Sequence, residues 1–371
     1  MKILFITNIP SPYRVDFFNQ LGRHVELTVV FRARRSLARV GAFNWRDDGD
    51  MQFQALYLNC GFLEERKCDL SILGHIRKNE YDFIFATQYG NATELLAILK
   101  MIFFRIPFVL EIDGGIIRDG DFFRQSVKKF VIPKAIYCFS PSKGSDEFLC
   151  HYGADSEKIV RYPFTSISSR DVLAAMPTRE RKSKLKAELD LPDKPTILFV
   201  GQIIKRKGID VLLKALLGIQ EDFMCVIIGA RADSEYYDNL LPLLSDRVRM
   251  LDFLTEHELV KYYECADFMT FPTRHDEWGL VVNEAMAKGL PVITTTKCTA
   301  GMELVTDGVT GHLFEVDDVC GLNDMIRLYL QNPEETRKKG SNSLELIRNH
   351  TIEKMVDCHM LFFKAKRGHA S

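Results

Sequence analysis

The stretch RHDEWGLVVNEAMAKGLPVI, residues 274–293, places three carboxylates, Asp276, Glu277 and Glu284, around a Gly-Leu pair. FMTFP (268–272) before it reads as a buried strand, RHDEWG as a turn, and LVVNEAMAKG as a helix ended by Gly289, with LPVITT the next strand. The amides of Gly279, Leu280 and Val281 fall in the first helical turn, where they lack partners within the helix and suit phosphate oxygens. Glu284 lies about one turn further in, where a carboxylate can accept hydrogen bonds from two vicinal hydroxyls such as those of a ribose. Asp276 and Glu277 are equally explained as helix caps contributing about 0.3–1 kcal/mol each. Capping does not account for Glu284, a carboxylate among apolar helix neighbours.

A second constellation is FVGQIIKRKGIDVLL, residues 199–213. A strand ends at Gly201, a loop carries Lys205, Arg206 and Lys207, and Gly208 opens a helix. Cations at a strand-to-helix turn suit a diphosphate, and they suit a solvated basic loop as well. Neither GxxxxGK[ST] nor GxGxxG occurs, so the segment is not a P-loop or a dinucleotide fingerprint. In FVLEIDGG (108–115), Asp113 before two glycines reads either as a site carboxylate or as turn chemistry. His257-Glu258 begins like a zincin helix, but Lys261 stands where the second histidine belongs, and no metal site is expected.

These residues need elements to hold them. ILFIT (3–7), VELTVVF (25–31), FIFAT (83–87), PFVLE (107–111) and AIYCFS (135–140) are strand-like, separated by amphipathic stretches such as 14–24 and 91–104. Apolar strands alternating with helices predict a parallel sheet covered on both faces. Polarity rises across 166–195, which reads as a linker with a charged helix; the alternation then restarts at TILFVG (196–201). The expected architecture is α/β, with an N-terminal domain over 1–165, a linker over 166–195 and a C-terminal domain over 196–350. The amphipathic pattern IEKMVDCHMLFFKAK (352–366) predicts a last helix in 351–371, crossing back onto the first domain. In such sheets ligands gather beyond the carboxyl ends of the strands.

Bulk composition narrows the class. A chain of 371 residues exceeds one ordinary core, and 46% hydrophobic with 27% charged residues is globular composition. A net charge of −1 gives no footing for nucleic acid as a partner. Nine scattered cysteines without a CxxC pair suit reduced thiols in a cytoplasmic protein. No apolar run reaches the roughly 20 residues of a membrane span. FFRQSVKKFVIPK (122–134) and FRARR (31–35) interleave Phe with Arg or Lys, which suits a peripheral contact with an anionic membrane or simply a solvated face.

The signature DEWGLVVNEAMAKGLPVI resembles that of the retaining glycosyltransferases of family 4, which have the GT-B fold. The upstream VGQIIKRKGIDVLL, the stretch LTEHELVKYYECADFMTFPT (254–273) and DGVTGHLF (307–314) match further family segments in the right order. The resemblance covers roughly 196–320 and implies two doubly wound Rossmann-like domains facing a deep cleft. It implies transfer of a hexosyl or N-acetylhexosaminyl group from a nucleotide diphosphate sugar, a UDP-sugar first, without metal or other cofactor. The acceptor would be a hydroxyl of a glycan or lipid-linked oligosaccharide, as in bacterial surface-polysaccharide synthesis. Carried over by residue, Lys207 would meet the donor diphosphate with the amides of Gly279, Leu280 and Val281, and Glu284 would hold the ribose. Asp276 would contact the transferred sugar, with Glu277 competing for that place, and the backbone at Phe253 would meet the base. Gly201 opens this donor loop. Gln202 replaces the usual arginine after it, a charge Arg206 can supply. Asp113 stands where many members place a histidine near the reacting sugar. The loop in TNIPSPYRVDFFNQL (7–21) would put Asn8, Tyr13 and Arg14 on the acceptor side. A sugar-nucleotide-binding partner without activity, or another GT-B enzyme such as an epimerase or phosphorylase, is the rival reading.

Overall fold

KILFIT, FIFA and VLE are apolar at nearly every position, and all residues but Lys2 are buried, as central strands of a sheet covered on both faces must be. The computed structural model describes residues 1–34, 51–59, 68–117 and 121–366; Arg35 of FRARR and Cys60 lie outside them. The chain divides into two units, Met1–Ser166 with Thr351–Ser371, and Ile167–His350.

The first unit is built on strands β1 (Lys2–Thr7), β2 (Glu26–Ala33), β3 (Gln54–Asn59), β4 (Phe83–Ala86), β5 (Val109–Glu111), β6 (Tyr137–Ser140) and β7 (Ile159–Arg161). They run in the order β3-β2-β1-β4-β5-β6-β7, all parallel. Helices α1 (Pro12–Gly22), α2 (Ile72–His75), α3 (Ala92–Phe103), α4 (Phe122–Val131) and α5 (Lys143–His151) connect them. Chain order reverses between β1 and β4, the switch point where doubly wound sheets open a crevice at their carboxyl edge.

The second unit repeats the plan with β8 (Thr196–Val200), β9 (Met224–Ile228), β10 (Val248–Leu251), β11 (Phe268–Phe271), β12 (Val292–Thr295) and β13 (Gly311–Phe314), ordered β10-β9-β8-β11-β12-β13. Its helices are α6 (Arg179–Glu188), α7 (Ile209–Leu217), α8 (Ser234–Leu240), α9 (Glu256–Cys265), α10 (Leu280–Ala287), α11 (Thr299–Leu304), α12 (Val319–Gln331) and α13 (Pro333–Ile347). Here the switch point lies between β8 and β11.

The segment expected as a linker is part of this second unit from Ile167 onward. Thr178 caps α6 by accepting from the Arg181 amide at 3.1 Å, Leu185 is buried, and Lys182 and Lys186 reach Asp267 at 2.8 and 3.3 Å. Burial raises the Asp267 carboxyl, but the two lysines pull it below its ordinary value. The charges that gave the segment a solvated look are anchors at the head of β11.

After α13 the chain returns to the first unit as α14 (Ile352–Lys366). Phe363 stacks on Phe83 with ring centroids 5.4 Å apart, Phe362 stands edge-on to Phe139 at 5.0 Å, and His359 lies against Phe17, Phe85 and Phe139. His257-Glu258 proves to be part of a helix start: Glu258 accepts from the Thr255 amide and hydroxyl at 2.9 and 2.7 Å.

Candidate functional site

In the second unit the candidate residues collect at the carboxyl ends of β8 and β11, on either side of the switch point. After β8, the Gly201 amide donates to Ile228 and the chain passes the partly buried Gln202 into a single turn over Lys205–Lys207. Gly208 then adopts φ +70°, and a Cβ there would stand 1.9 Å from the Pro272 carbonyl oxygen, so only glycine lets the basic turn lie against the end of β11. The two loops are laced together. Arg206 donates to the His275 carbonyl at 2.9 Å, Thr273 Oγ1 to the Arg206 carbonyl at 3.2 Å, and Arg274 grips Asp210 with both arms at 2.8 and 3.0 Å.

This lacing brings the acid to the cations. Lys207 Nζ donates to Asp276, Arg206 stands 3.5 Å from the same carboxylate, and Lys207 lies 4.7 Å over the Phe271 ring. Asp276 is fixed in turn by its amide, which donates to Lys297, and by a parallel bridge to Cys298. Glu277 next to it is exposed. Asp276 is thus directed at the basic turn.

Trp278 is buried and donates from its indole to Asn283 at 2.8 Å, closing the turn that leads to α10. Gly279 begins that helix at φ +102°, where a Cβ would crowd Cys298 Sγ at 2.8 Å, and no side chain caps the helix. The amides of Gly279, Leu280 and Val281 thus form the helix N-terminus next to Asp276. Glu284, a turn further along, does not stand alone: one carboxylate oxygen accepts from the Tyr263 hydroxyl at 2.9 Å. Burial and the adjacent Glu284 hold that hydroxyl well above a tyrosine's usual range, so it stays a donor. Phe253, just beyond β10, is 38% exposed, and its amide donates to the Asp252 carboxylate at 2.7 Å.

The first unit has its own charged cluster at the carboxyl edge. Asn8 follows β1, with its side-chain oxygen accepting from the Ile9 amide at 2.7 Å. Tyr13 packs edge-on against Phe164 at 5.7 Å, and burial followed by the Asp113 charge raises its hydroxyl. Arg14, expected to face an acceptor, is only 3% exposed and is committed inside the protein. Nη1 donates to Glu111 Oε1 at 2.9 Å and Nη2 donates to Asp113. Glu111 Oε2 pairs with His359 Nε2 at 2.9 Å, and His359 Nδ1 faces the Met355 carbonyl at 2.8 Å. Burial would raise the Glu111 carboxyl, but His359 and Arg14 hold it below its ordinary value. Asp113 is raised by desolvation, with Arg14 opposing, yet 29% of its side chain still meets water. Glu111, His359 and Tyr263 had not been singled out in the sequence.

The two interleaved segments differ among the described residues. Arg32 turns inward to Glu94 at 3.3 Å, whereas α4 shows Phe122 and Phe123 86% and 69% exposed, with Lys128 lying over Phe148 and Tyr152. Among the described residues no helix is long and apolar enough to cross a membrane.

Comparison with known proteins agrees with this fold. Residues 181–345 match the family described as glycosyl transferases group 1. A D-inositol 3-phosphate glycosyltransferase of Xylanimonas cellulosilytica is 30% identical over 202 residues, 50% of this chain and 46% of that protein. An alpha-D-kanosaminyltransferase of Streptomyces kanamyceticus is 26% identical, over 46% of this chain and 45% of that protein. The matched part spans about half the length of these curated relatives. Among solved structures, Anabaena HepE in complex with UDP aligns over 98% of this chain and 100% of its own, with a TM-score of 0.79 at 17% identity. The sucrose-phosphate synthase of Thermosynechococcus elongatus aligns over 100% of both chains, with a TM-score of 0.79 at 19% identity.

Proposed function

From a chain whose residues 181–345 belong to the glycosyl transferases group 1 and whose two units carry the GT-B fold, we propose a retaining, metal-independent glycosyltransferase. Its donor is a nucleotide diphosphate sugar, with UDP first in line because the HepE neighbour is solved with UDP and with UDP-glucose. Its acceptor is a hydroxyl of a glycan or lipid-linked oligosaccharide of the cell surface. The observation that carries this reading is the pairing of Lys207 and Arg206 with Asp276 beside the uncapped start of α10, with Glu284 one turn in.

A diphosphate is drawn there by the two cations and by the helix amides. The same donors stabilise the charge that develops as the anomeric C–O bond breaks, so the reading gives a metal no part. Glu284, held by Tyr263, offers its remaining lone pairs to ribose hydroxyls. On the first unit, Asp113 accepts from the acceptor hydroxyl. As the acceptor oxygen bonds to the anomeric carbon, its proton passes to the departing phosphate oxygen. Once a diphosphate engages Lys207, Asp276 is released toward the sugar.

Thermal stabilisation by a panel of UDP-, GDP- and ADP-sugars tests the donor, since a ligand of the folded state raises its midpoint. Transfer is then measured as nucleoside diphosphate released only with acceptor present. Wild-type rates in Lys207→Ala or Glu284→Ala would remove the site. Donor binding without transfer across an acceptor panel would favour the silent partner, a reading that the engagement of Asp276 with both cations supports. The exposed phenylalanines and lysines of α4 support peripheral binding to anionic membrane on the cytoplasmic side. Flotation with vesicles containing phosphatidylglycerol should lose this chain when Phe122 and Phe123 become serine, and unchanged flotation would reject that surface.

A further inference from the structure

Three charged side chains and an imidazole meet at the carboxyl end of β5, contributed by segments far apart in the chain: Arg14 from α1, Glu111 and the part-exposed Asp113 from the strand and its exit, and His359 from α14. Glu111 and His359 have no exposure at all, so neither meets an acceptor or donor directly. We propose that His359 and Glu111 are positioning residues that keep Arg14 divided between two carboxylates, and thereby hold Asp113 oriented and ionised at the edge of the sheet.

The geometry supplies the reasoning. Glu111 has two oxygens and each has one dedicated donor, Arg14 on Oε1 and His359 on Oε2. Arg14 therefore has an arm left for Asp113. Without the imidazole, Glu111 Oε2 is an orphaned anion in a dry site, which costs far more than a shifted guanidinium. Arg14 is the nearest cation, and its second arm satisfies Glu111 by leaving Asp113. The aromatic walls from Phe17, Phe85 and Phe139 keep the His359 ring in place for this task. Met355 fixes the other ring nitrogen within α14 itself. The remaining titratable groups facing the cluster are Tyr13 on α1, Tyr162 beyond β7, whose hydroxyl donates to the Ile112 carbonyl at 2.8 Å, and Cys358 on α14. Burial keeps the two phenols and the thiol neutral, and they add no competing charge.

The proposal builds on the glycosyltransferase reading for its kinetic consequence only. Its direct test is the titration of the Asp113 carboxyl carbon by NMR in the full chain labelled at aspartate, with the resonance assigned from Asp113→Asn. His359→Ala should move the Asp113 midpoint up by roughly one pH unit, as expected for a carboxylate losing an adjacent guanidinium. His359→Gln, whose amide can still donate to Glu111, should restore most of the shift. Glu111→Gln should move the midpoint down, since Arg14 is then left to Asp113. This variant decides the question if His359→Ala folds poorly. An unmoved midpoint in His359→Ala, or an upward shift in Glu111→Gln, overturns the relay. In the kinetic arm, His359→Ala should lower kcat at least about tenfold while donor-induced stabilisation stays intact, because small misplacements at reacting groups carry losses of that order. The same substitution in an Asp113→Asn background should cost nothing further, and multiplicative losses would reject action through Asp113. If the wild type transfers no sugar, the glycosyltransferase reading fails, and the titration still decides the relay.

Discussion

Glu94 permits a prediction whose size follows from its surroundings. It sits in the first turn of α3, 1% exposed, with Arg32 at 3.3 Å as its charged partner. Desolvation outweighs that partner and raises the carboxyl from 4.5 to about 7. An acid raised in the folded state binds its proton more tightly there than when unfolded. Its contribution is therefore fully present below pH 4.5, lost progressively as the pH rises towards 7, and absent beyond. At 1.36 kcal/mol per unit, the loss is about 3 kcal/mol. Glu94→Gln mimics the protonated form at every pH. It should lie within about 1 kcal/mol of the wild type near pH 5 and be the more stable protein by a wider margin at pH 8. For a unit of this size, the difference at pH 8 corresponds to roughly 6–12 °C in the midpoint of its calorimetric transition. All other titrations cancel in the comparison, because both proteins share them. An offset between variant and wild type that is equal at pH 5 and pH 8 would refute the reasoning, and a less stable variant at pH 8 would show that the Arg32 pair outweighs burial.

Further outcomes follow from the donor side. Lys207→Ala should lower transfer about 10- to 100-fold, the range of a lost hydrogen bond to a charged group, and Glu277→Ala should leave the rate nearly unchanged; parallel initial rates check both. Asp276→Asn should weaken the hold on Lys207 and Arg206 and reduce transfer more than Glu277→Ala does, and equal rates would take the loop acid out of the mechanism. Gly208→Ala must set a Cβ against the Pro272 carbonyl at positive φ, so its midpoint should fall by the equivalent of about 2 kcal/mol or more, and a midpoint like that of wild type would show that the turn can shift.

Much of this was legible in the residues because parallel strands buried on both faces are written as unbroken apolar runs. The positions of Lys207 and Asp276 beyond strand ends, and of Glu284 one turn into the helix that comes next, follow from those runs and from the glycines beside them. The pairing of Lys207 with Asp276 was not legible, since it requires β8 and β11 to be neighbours, and 69 residues separate the partners. Glu111 left a trace as a charge inside FVLEI, and His359 as a polar residue at a core-facing step of IEKMVDCHMLFF. Neither trace names the other across 248 residues. Arg14 read as an acceptor-side residue because a buried arginine is recognised only by its two carboxylates. The segment RERKSKLKAE misled in the opposite direction: lysine stems can lie along a protein surface while their charges meet one aspartate.

The return of α14 to the first unit has a consequence for the order of events during synthesis. A ribosome makes β1 to β7 first, yet Glu111 then has no imidazole and the aromatic face of Phe83, Phe85 and Phe139 has no cover. The second unit, complete at His350, is ready to fold before the first can finish. Translation thus inverts the usual sequence of domain maturation: the earlier half waits, with apolar surface uncovered, for a helix made only after the whole second unit.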